Sequence, residues 1–340
     1  MATQKDVAKL ANVSFITVSR VINNMGNVKS DTRKRVEEAI KELNYYPNSI
    51  AQGLNRNKIK TLAIQTPLPL NASVEGNSYY TRILIGIERA AVKNGFDILI
   101  SAQRGSEMEL DFLKPFYERK ADGVIIIGAK PTSKQIEHII MDNIPAILIG
   151  DRLENSKINY VDSDNYNGMI KATEYIISMG HKKIGYIQGN TITYNSNERF
   201  KGFSKILLEN NIELNENWIF YGNFSKEAGI DAYHYFKNLK NRPTAIISST
   251  DLMAVGFYEE SLKYDFNIPK DISIIGFDGH EICSYTNPPL GTIYQPLEEM
   301  GEKATQIIIN QIEDSNFRSQ RIIFNVTLLH GQSVKDITIM

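Results

Sequence analysis

An unusual combination of side chains falls on one face of a short helix predicted near the start of the sequence. Those side chains are Phe15, Ile16, Ser19, Arg20 and Asn23. A solvated helix face rarely mixes exposed Phe and Ile with Arg and Asn. In a DNA major groove, Arg can hydrogen-bond guanine or a phosphate, and Phe or Ile can contact thymine methyl groups. The pattern therefore indicates a DNA-contacting helix; the alternative is a helical cap with a partly exposed apolar face.

Two short helices joined by a tight turn are predicted to present this face. Thr3 and Asp6 have the spacing of a capping box that opens the first helix. Asn12 suits the turn because Asn tolerates a left-handed backbone conformation. Ser14 can cap the second helix, whose core-facing positions are Val18, Val21 and Ile22.

A third helix is predicted to complete a helix-turn-helix unit. It begins near Ser30 or Asp31 and stops before Pro47. Its apolar positions have helical spacing and are Val36, Ala39, Ile40 and Leu43. The second helix of such a unit enters the major groove. We therefore expect DNA contacts from Thr3, Ser14, Phe15, Ile16, Thr17, Ser19, Arg20 and Asn23.

The charge distribution favours a polyanionic partner for this part of the chain alone. The 340 residues carry a net charge of −1, yet residues 1–60 hold 11 Lys and Arg against 5 Asp and Glu. The remaining 280 residues hold 27 against 34. A basic N-terminal region on an acidic body is typical of a nucleic-acid-binding unit joined to a different domain.

Residues 47–60 form a polar, basic segment after the three helices. Its isolated apolar residues are Ile50, Ala51 and Leu54, and Ile50 and Leu54 have the i, i+4 spacing of one or two helical turns. A helix this short is not stable alone, so it would fold on DNA or against a second copy. The alternative is an ordinary interdomain linker.

Composition and motifs exclude several classes of protein. No run of about 18 apolar residues predicts a membrane span, and the N-terminus lacks a signal-peptide pattern. The single cysteine, Cys283, leaves no disulfide framework or multi-Cys metal site. No nucleophile elbow, Walker loop or H-E-x-x-H motif occurs, and the five His show no metal spacing. We expect a cytoplasmic protein that is not an enzyme and needs no cofactor or metal.

The body alternates short β-rich runs with amphipathic helical patterns. The runs are TLAIQTP, FDILIS, DGVIIIG, IPAILIG, KKIGYIQG, TAIISST and DISIIGFD. This alternation predicts an α/β fold with parallel sheets covered on both faces. About 280 residues exceed one doubly wound sheet of typical size, so we expect two lobes with a ligand cleft between them.

Polar side chains that follow predicted strands are the candidates for ligand binding, because ligands bind beyond the carboxyl ends of parallel strands. These residues are Asp151, Arg152, Thr250, Asp251, Asp278 and Gln295, and Arg199 opens a nearby helix. Carboxylates, an amide and an Arg suit the hydroxyl groups of a sugar, and Phe224 could stack on its ring. The alternative for Asp151 and Asp251 is a helix N-cap.

The whole chain resembles the lactose/galactose repressor family of bacterial transcriptional regulators. The head carries KDVAKLANVSFITVSRVINN, and the body carries MGHKKIGYIQG, ERFKGF, STDLMAVG, DISIIGFD and PPLGTIYQP. The resemblance implies a homodimeric repressor that binds an inverted-repeat DNA operator through its second helix. It also implies a body with the two-lobed fold of periplasmic binding proteins.

Individual residues acquire roles from this resemblance. Asn48 to Leu54, including Ala51, would form a hinge helix on DNA, with Leu54 wedged into the minor groove. Arg199 and Asp278 would hold the effector. Further cleft positions would be Asn77, Tyr79, Tyr80, Asp151, Phe224, Thr250 and Gln295. The sequence departs from the family pattern at Asn12, where Gly is usual, at Thr250, where Asn is common, and at Gly331, where Arg is usual.

These observations predict three parts: a helix-turn-helix domain at 1–46, a hinge or linker at 47–60 and an effector-binding body at 61–340. The first lobe would comprise about 61–161 and 292–323, and the second about 162–291 and 324–340. The predicted function is repression of a carbohydrate-utilisation operon under allosteric control by a small sugar. The alternatives are a non-sugar effector such as a purine, a solute-binding receptor, and an enzyme that uses the cleft.

Overall fold

A computed structural model describes residues 2–23, 25–26, 28–46, 58–66, 78–100, 111–153, 157–314 and 316–338. The chain divides into two compact units, Met1–Lys60 and Thr61–Met340. The predicted contact residues Asn48, Ala51, Leu54 and Asn77 lie outside the described residues. Within the described ranges, no helix is long and apolar enough to cross a membrane.

The described residues of the first unit form three helices: α1 (Gln4–Leu10), α2 (Phe15–Ile22) and α3 (Ser30–Glu42). The predicted capping box is confirmed, since the Thr3 backbone N–H donates to Asp6 Oδ2 over 2.8 Å and Asp6 N donates to Thr3 Oγ1 over 3.3 Å. Ser14 Oγ accepts from the Thr17 backbone N–H over 3.1 Å. Asn12 has a φ of 51°, the left-handed conformation that the turn requires.

A small core fixes how these three helices pack. Val7, Val18 and Val36 contribute one fully buried side chain from each helix. Ala residues fill the space between them at Ala8, Ala11 and Ala39. Because the core side of α2 is buried in this way, its opposite side is left at the surface.

In the second unit, the described residues form two parallel sheets and a short antiparallel pair. The strands are β1 (Thr61–Gln65), β2 (Asp97–Ile100), β3 (Gly123–Ile127), β4 (Ala146–Ile149), β5 (Asn159–Ser163), β6 (Ile184–Gln188), β7 (Ile219–Tyr221), β8 (Ala245–Ser248), β9 (Ser273–Ile275), β10 (Thr292–Tyr294), β11 (Arg321–Phe324) and β12 (Thr327–Leu329). The first sheet has the order β11-β5-β4-β3-β1-β2 and the second β7-β6-β8-β9, each parallel throughout, while β10 pairs antiparallel with β12. The predicted α/β fold is confirmed.

Helices cover both sheets because their strands are apolar on both faces; every residue of β3 and β4 is buried, for example. The helices are α4 (Ser78–Lys93), α5 (Lys114–Tyr117), α6 (Ser133–Met141), α7 (Asn165–Ser178), α8 (Tyr194–Glu209), α9 (Lys226–Lys237), α10 (Asp251–Leu262) and α11 (Leu297–Glu313). On the first sheet, α4 and α11 pack against one face and α5 and α6 against the other. On the second sheet, α9 and α10 cover one face and α7 and α8 the other.

The chain crosses between the lobes three times: after β5, between β10 and α11, and between β11 and β12. The crossings lie side by side. Ser163 Oγ donates to Gln295 Oε1, and Asp164 N donates to the Phe324 carbonyl over 2.9 Å. Polar residues at the ends of both sheets therefore converge near the same crossings.

Glycines allow the close packing of α4 against α11. A Cβ at Gly301 would lie 2.2 Å from the Ile83 carbonyl oxygen, and a Cβ at Gly86 would lie 1.9 Å from the Glu298 carbonyl oxygen. We expect Gly301→Ala to lower the free energy of unfolding by about 1–3 kcal/mol, because the added methyl must push backbone apart. Urea unfolding monitored by circular dichroism measures the change.

Lys303→Ala, at an exposed position on the same helix, is the matched control and should leave the unfolding midpoint nearly unchanged. Equal midpoints for Gly301→Ala and the wild-type protein would show that α4 and α11 are not held as closely as described.

Candidate functional site

The outward face of α2 carries the side chains that the sequence singled out. Phe15 is 49% exposed and Ile16 is 63% exposed, whereas Val18 on the opposite face is fully buried. Arg20 is exposed, and Ser19, Thr17 and Asn23 are half-buried beside it. The Asn23 amide donates to the Ser19 carbonyl over 2.8 Å, which holds it at the end of α2. An exposed apolar pair beside an Arg and an Asn is a surface that suits base edges in a major groove.

Thr3 and Ser14 act first as caps of the two helices. Thr3 Oγ1 donates to Asp6 Oδ2 over 2.6 Å, and the Ser14 and Thr17 hydroxyls lie 2.8 Å apart. Both hydroxyls are engaged as helix caps, and DNA contacts from Thr3 and Ser14 remain predictions.

Arg199 is a nearly fully buried charged group beside the second unit's cleft. It lies on α8, 3% exposed, with its guanidinium carbon 3.8 Å from the centre of the Phe277 ring. Its Nε donates to Asn165 Oδ1 over 2.7 Å, and Nη1 donates to the Ser249 carbonyl. These contacts fix the plane of the guanidinium group while leaving it beside the end of β9.

Asp278 lies next to Arg199 just after β9. Its Oδ1 is 3.6 Å from Arg199 Nη1 and accepts from Gln295 Nε2 over 2.7 Å. Its φ of 134° is a conformation that residues with side chains rarely adopt. Backbone hydrogen bonds from Asp278 N to Ile293 O (2.8 Å) and from Gln295 N to Asp278 O (3.2 Å) hold it there.

Burial raises the pKa of the Asp278 carboxyl to about 7, although the Arg199 guanidinium opposes the shift and Asp251 adds to it. Its side chain is 15% exposed. Asp278 thus changes charge near neutral pH beside a permanently charged Arg. A ligand hydroxyl can accept from Arg199 and donate to Asp278 at the same time.

A second ion pair, between Arg152 and Asp162, lies close to Arg199 and Asp278. The sequence patterns did not single out Asp162. Arg152 Nε donates to Asp162 Oδ2 over 2.7 Å, and Arg152 Nη2 donates to the Ser163 carbonyl over 2.9 Å. Asp162 Oδ1 accepts from Asn165 Nδ2 over 3.2 Å. Burial raises the pKa of Asp162 to about 6 against the opposing effect of Arg152. Asn165 therefore connects this pair to Arg199.

The first lobe contributes Asp151, Tyr79 and Tyr80 to the same cleft. Asp151 is buried after β4, burial raises its carboxyl pKa, and its Oδ1 accepts from the Arg152 backbone N–H over 2.6 Å. The Tyr79 hydroxyl lies directly against Gly150, where a Cβ would come within 2.2 Å of it. Tyr80 makes a similarly close approach to Gly128, with a corresponding distance of 2.7 Å.

The remaining predicted positions, Thr250, Asp251 and Phe224, have three different roles: a helix cap, a buried hydrogen-bond acceptor and a ring that lines the cleft. Thr250 caps α10 through its hydroxyl, which accepts from Met253 N over 3.4 Å. Asp251 is fully buried and accepts from Thr292 Oγ1 (2.6 Å) and from the His280 backbone N–H (2.7 Å), which leaves it a structural role. The ring of Phe224 lies across Gly189 at the end of β6.

Three buried polar atoms around Arg199 have no hydrogen-bond partner among the described residues. They are Asn195 Oδ1, Ser196 Oγ and Ser249 Oγ. Asn195 and Ser196 lie one turn before Arg199 on α8, and the Ser249 carbonyl accepts from Arg199. Buried polar atoms without partners are costly. The described residues contain no group of three or more His, Cys, Asp or Glu that could hold a metal ion.

Comparison with known proteins finds a matching family model for each of the two units. Residues 3–48 match the family model for bacterial regulatory proteins of the lacI family, and residues 173–334 match a periplasmic binding protein-like domain. The chain is 30% identical over 339 residues to the HTH-type transcriptional repressor PurR of Photobacterium profundum, covering 99% of this chain and 100% of that relative. The chain belongs to the lacI family of bacterial regulatory proteins. The PurR repressor of Vibrio vulnificus is 31% identical with the same coverage.

Solved structures of lacI-family proteins extend over both units. The Lac repressor bound to ONPG in its repressed state matches with a TM-score of 0.84 and 25% identity, covering 98% of this chain and 99% of that one. The complex of the regulator CelR with cellobiose matches with a TM-score of 0.73 and 26% identity, covering 98% and 100%. This lacI-family chain is accordingly a DNA-binding transcriptional repressor and not an enzyme.

Proposed function

We propose that this lacI-family repressor binds an inverted-repeat operator as a homodimer and is controlled by a small polyhydroxylated effector, a sugar, held between its lobes. The three predicted parts, 1–46, 47–60 and 61–340, would then serve DNA recognition, hinge formation and effector binding. A two-fold dimer would impose the inverted repeat on its operator. The predicted effector contacts are Asn77, Tyr79, Tyr80, Asp151, Arg199, Phe224, Thr250, Asp278 and Gln295.

The observation that carries the sugar proposal is the donor and acceptor content around Arg199. Arg199 and Asp278 lie 3.6 Å apart as a charged donor and acceptor. Asn195, Ser196 and Ser249 add three buried oxygen atoms without partners among the described residues. A hydroxyl group both donates and accepts, so a ligand with several hydroxyls can satisfy all of these groups in one pose.

A purine is the second candidate because the relatives matched over the full chain carry the name PurR. A planar base would stack on the Phe224 ring and present adjacent donors and acceptors to Arg199 and Asp278. Such a base offers fewer hydroxyl-type partners for Ser196 and Ser249 than a sugar does.

Thermal unfolding of the full-length protein can decide between these ligands. Glucose, galactose, ribose and cellobiose are compared with adenine, guanine and hypoxanthine, because a ligand that binds the native state raises the unfolding temperature. We expect a rise with at least one sugar and none with the bases. A rise with a base alone would replace the sugar proposal with the purine one.

Effector binding is expected to tighten as the pH rises through about 7 and to level off above it. A ligand hydroxyl that donates to Asp278 stabilises the ionised carboxylate. Because burial raises the pKa of this carboxyl to about 7, it is mostly protonated at lower pH, and binding there must also remove its proton. If only the ionised form binds, affinity rises about tenfold from about pH 6 to about pH 8. Isothermal titration over this range measures the effect.

Asp278→Asn is the control for this pH dependence, because the amide does not titrate. Its weaker residual binding should be flat over the same range. Affinity that falls with rising pH in the wild-type protein would show that the effector binds the protonated carboxyl.

A further inference from the structure

Arg82 joins the first lobe to the turn that carries Asp278. It lies on α4, one helical turn after Tyr79, and its side chain is 19% exposed. Its Nη1 donates to the Gly279 carbonyl over 3.2 Å, and its Nη2 donates to the Tyr294 hydroxyl over 3.3 Å. The guanidinium carbon also lies 5.2 Å from the centre of the Tyr294 ring. One side chain of the first lobe therefore holds two segments beside the effector cleft.

Both partners of Arg82 are direct chain neighbours of predicted effector contacts. Gly279 follows Asp278, and Tyr294 precedes Gln295, whose amide donates to Asp278 over 2.7 Å. Asp278 and Tyr294 also form a β-bridge. A displacement of the Asp278 carboxylate is thus transmitted to the two groups that Arg82 binds.

The turn is too tight to absorb such a displacement locally. Gly279 has a φ of 70°, and a Cβ at this position would lie 2.7 Å from the Tyr294 Cα. Gly279 N donates to Thr292 Oγ1 over 3.2 Å, and the next residue donates its backbone N–H to Asp251. These contacts hold the turn on its inner side and tie Asp278, Gly279 and Tyr294 to one another.

Two further contacts between the lobes lie away from this turn. Asn195 Nδ2 donates to the Gly150 carbonyl over 2.8 Å, and the Arg152 guanidinium carbon lies 5.2 Å from the centre of the Tyr194 ring. Both connect the start of α8 with the end of β4. Arg82 instead connects α4 with the carboxylate side of the cleft.

We infer that Arg82 is a positioning residue that holds the Asp278–Gly279 turn against α4. A change at the Asp278 carboxylate then changes the relative position of the lobes. The coupling part of this inference rests on the proposed function. An effector shifts a repressor only through its different affinities for two lobe arrangements, and Arg82 supplies a contact that differs between them. Removing it should leave the effector contacts in place and weaken their effect on DNA binding.

A matched control is available on the same helix. Arg89 lies two turns further along α4 and pairs with Glu298 over 2.7 Å and with Glu302 over 3.7 Å, both on α11 of the same lobe. Arg82→Ala and Arg89→Ala remove the same side chain, but only the first removes a contact with the Gly279 turn. Tyr294→Phe is a milder second variant that removes only the hydroxyl acceptor.

The first measurement is hydrogen exchange of the full-length protein without ligand. We expect Arg82→Ala to speed exchange of the Gly279 and His280 amides at least about tenfold by freeing the turn, while Arg89→Ala leaves them unchanged. Tyr294→Phe should give a smaller increase at the same amides. Unchanged exchange in both Arg82→Ala and Tyr294→Phe would overturn the positioning role of Arg82, whatever the effector is.

The second measurement is operator affinity with and without millimolar glucose, galactose, ribose, cellobiose or hypoxanthine. The ratio of the two affinities is the coupling factor, typically about 5–150 in allosteric proteins. Arg82→Ala should reduce this ratio to about 1–3 while the probe's own Kd stays within a few-fold of the wild-type value. A wild-type ratio in Arg82→Ala would refute the coupling role. If no probe changes operator binding by the wild-type protein, the proposed sugar or purine control fails, and the exchange measurement still decides the positioning role.

Discussion

Arg199→Ala is expected to abolish the effector response of the repressor. Arg199 offers a fixed guanidinium fork next to Asp278, and alanine removes every donor of that fork. If the effector is an inducer, operator binding in its absence should remain nearly intact. If it is a corepressor, operator binding should instead be weak at all effector concentrations. Operator affinity measured with and without the sugar identified by thermal unfolding distinguishes the two cases.

The same substitution also has a structural cost that must be measured separately. Arg199 is 3% exposed and contacts Asn165, Ser249 and Phe277, and removing one partner of a buried ion pair costs about 3–5 kcal/mol. Thermal unfolding of Arg199→Ala and of Arg199→Lys shows how much of the protein stays folded at the assay temperature. Lys201→Ala, at an exposed position on α8, is the matched control. A folded Arg199→Ala protein with a wild-type effector response would refute the cleft assignment.

Arg20→Ala is expected to weaken operator binding by about 1–3 kcal/mol, the usual cost of losing an Arg that contacts a base. Arg20 lies exposed on α2 beside Phe15 and Ile16. The operator can be obtained by selecting inverted-repeat duplexes from a random pool with the wild-type protein. Gel-shift titration at fixed salt concentration then measures the affinity.

The control for Arg20 is Lys41→Ala, an exposed cation at the far end of α3. Arg20→Ala should lose more affinity for the selected operator than for unrelated DNA, because a base contact carries sequence information and a phosphate contact does not. Equal losses on both DNAs would reassign Arg20 to the phosphate backbone. No loss on either would remove it from the interface.

Local sequence patterns predicted the DNA-contacting unit well because its determinants are local. The Thr3–Asp6 capping box, the Ser14 cap and the left-handed Asn12 each depend on residues within one turn. The burial of Val18 opposite the exposed Ile16 follows from helical periodicity alone. The predicted hinge contacts at Asn48, Ala51 and Leu54 remain predictions.

The cleft was predictable only in part. The convergence of Arg199 and Asp278 follows from the rule that strand ends meet at one edge of a parallel sheet, whereas Gln295 follows β10, which pairs antiparallel with β12. Asp162 escaped the strand analysis because it lies within β5, whose sequence NYVDS is polar and resembles a loop. Its burial depends on Arg152, a partner that only tertiary structure supplies. Thr250 was predicted to contact the effector, and its hydroxyl caps α10 in the structure.

Strands that complete a sheet at long range were also beyond the sequence patterns. β11 alternates exposed and half-buried residues at the sheet edge, and β7 and β12 have three residues each. Neither length nor periodicity separates such segments from loops. The seven apolar runs that were predicted correspond to strands β1, β2, β3, β4, β6, β8 and β9.

The chain returns to the first lobe late, so the first lobe cannot be completed until most of the protein has been synthesised. Strands β1 to β5 leave the ribosome first, but α11, which covers their apolar face, follows only after the whole second sheet. At about 5–20 residues per second, the nascent chain takes roughly 7 to 30 seconds to extend from β5 to α11. During that interval Ile64, Ile125 and Ile147, which are buried in the finished protein, lack the part of their cover that α11 supplies. The first lobe therefore keeps apolar surface exposed until the second sheet and α11 have been synthesised.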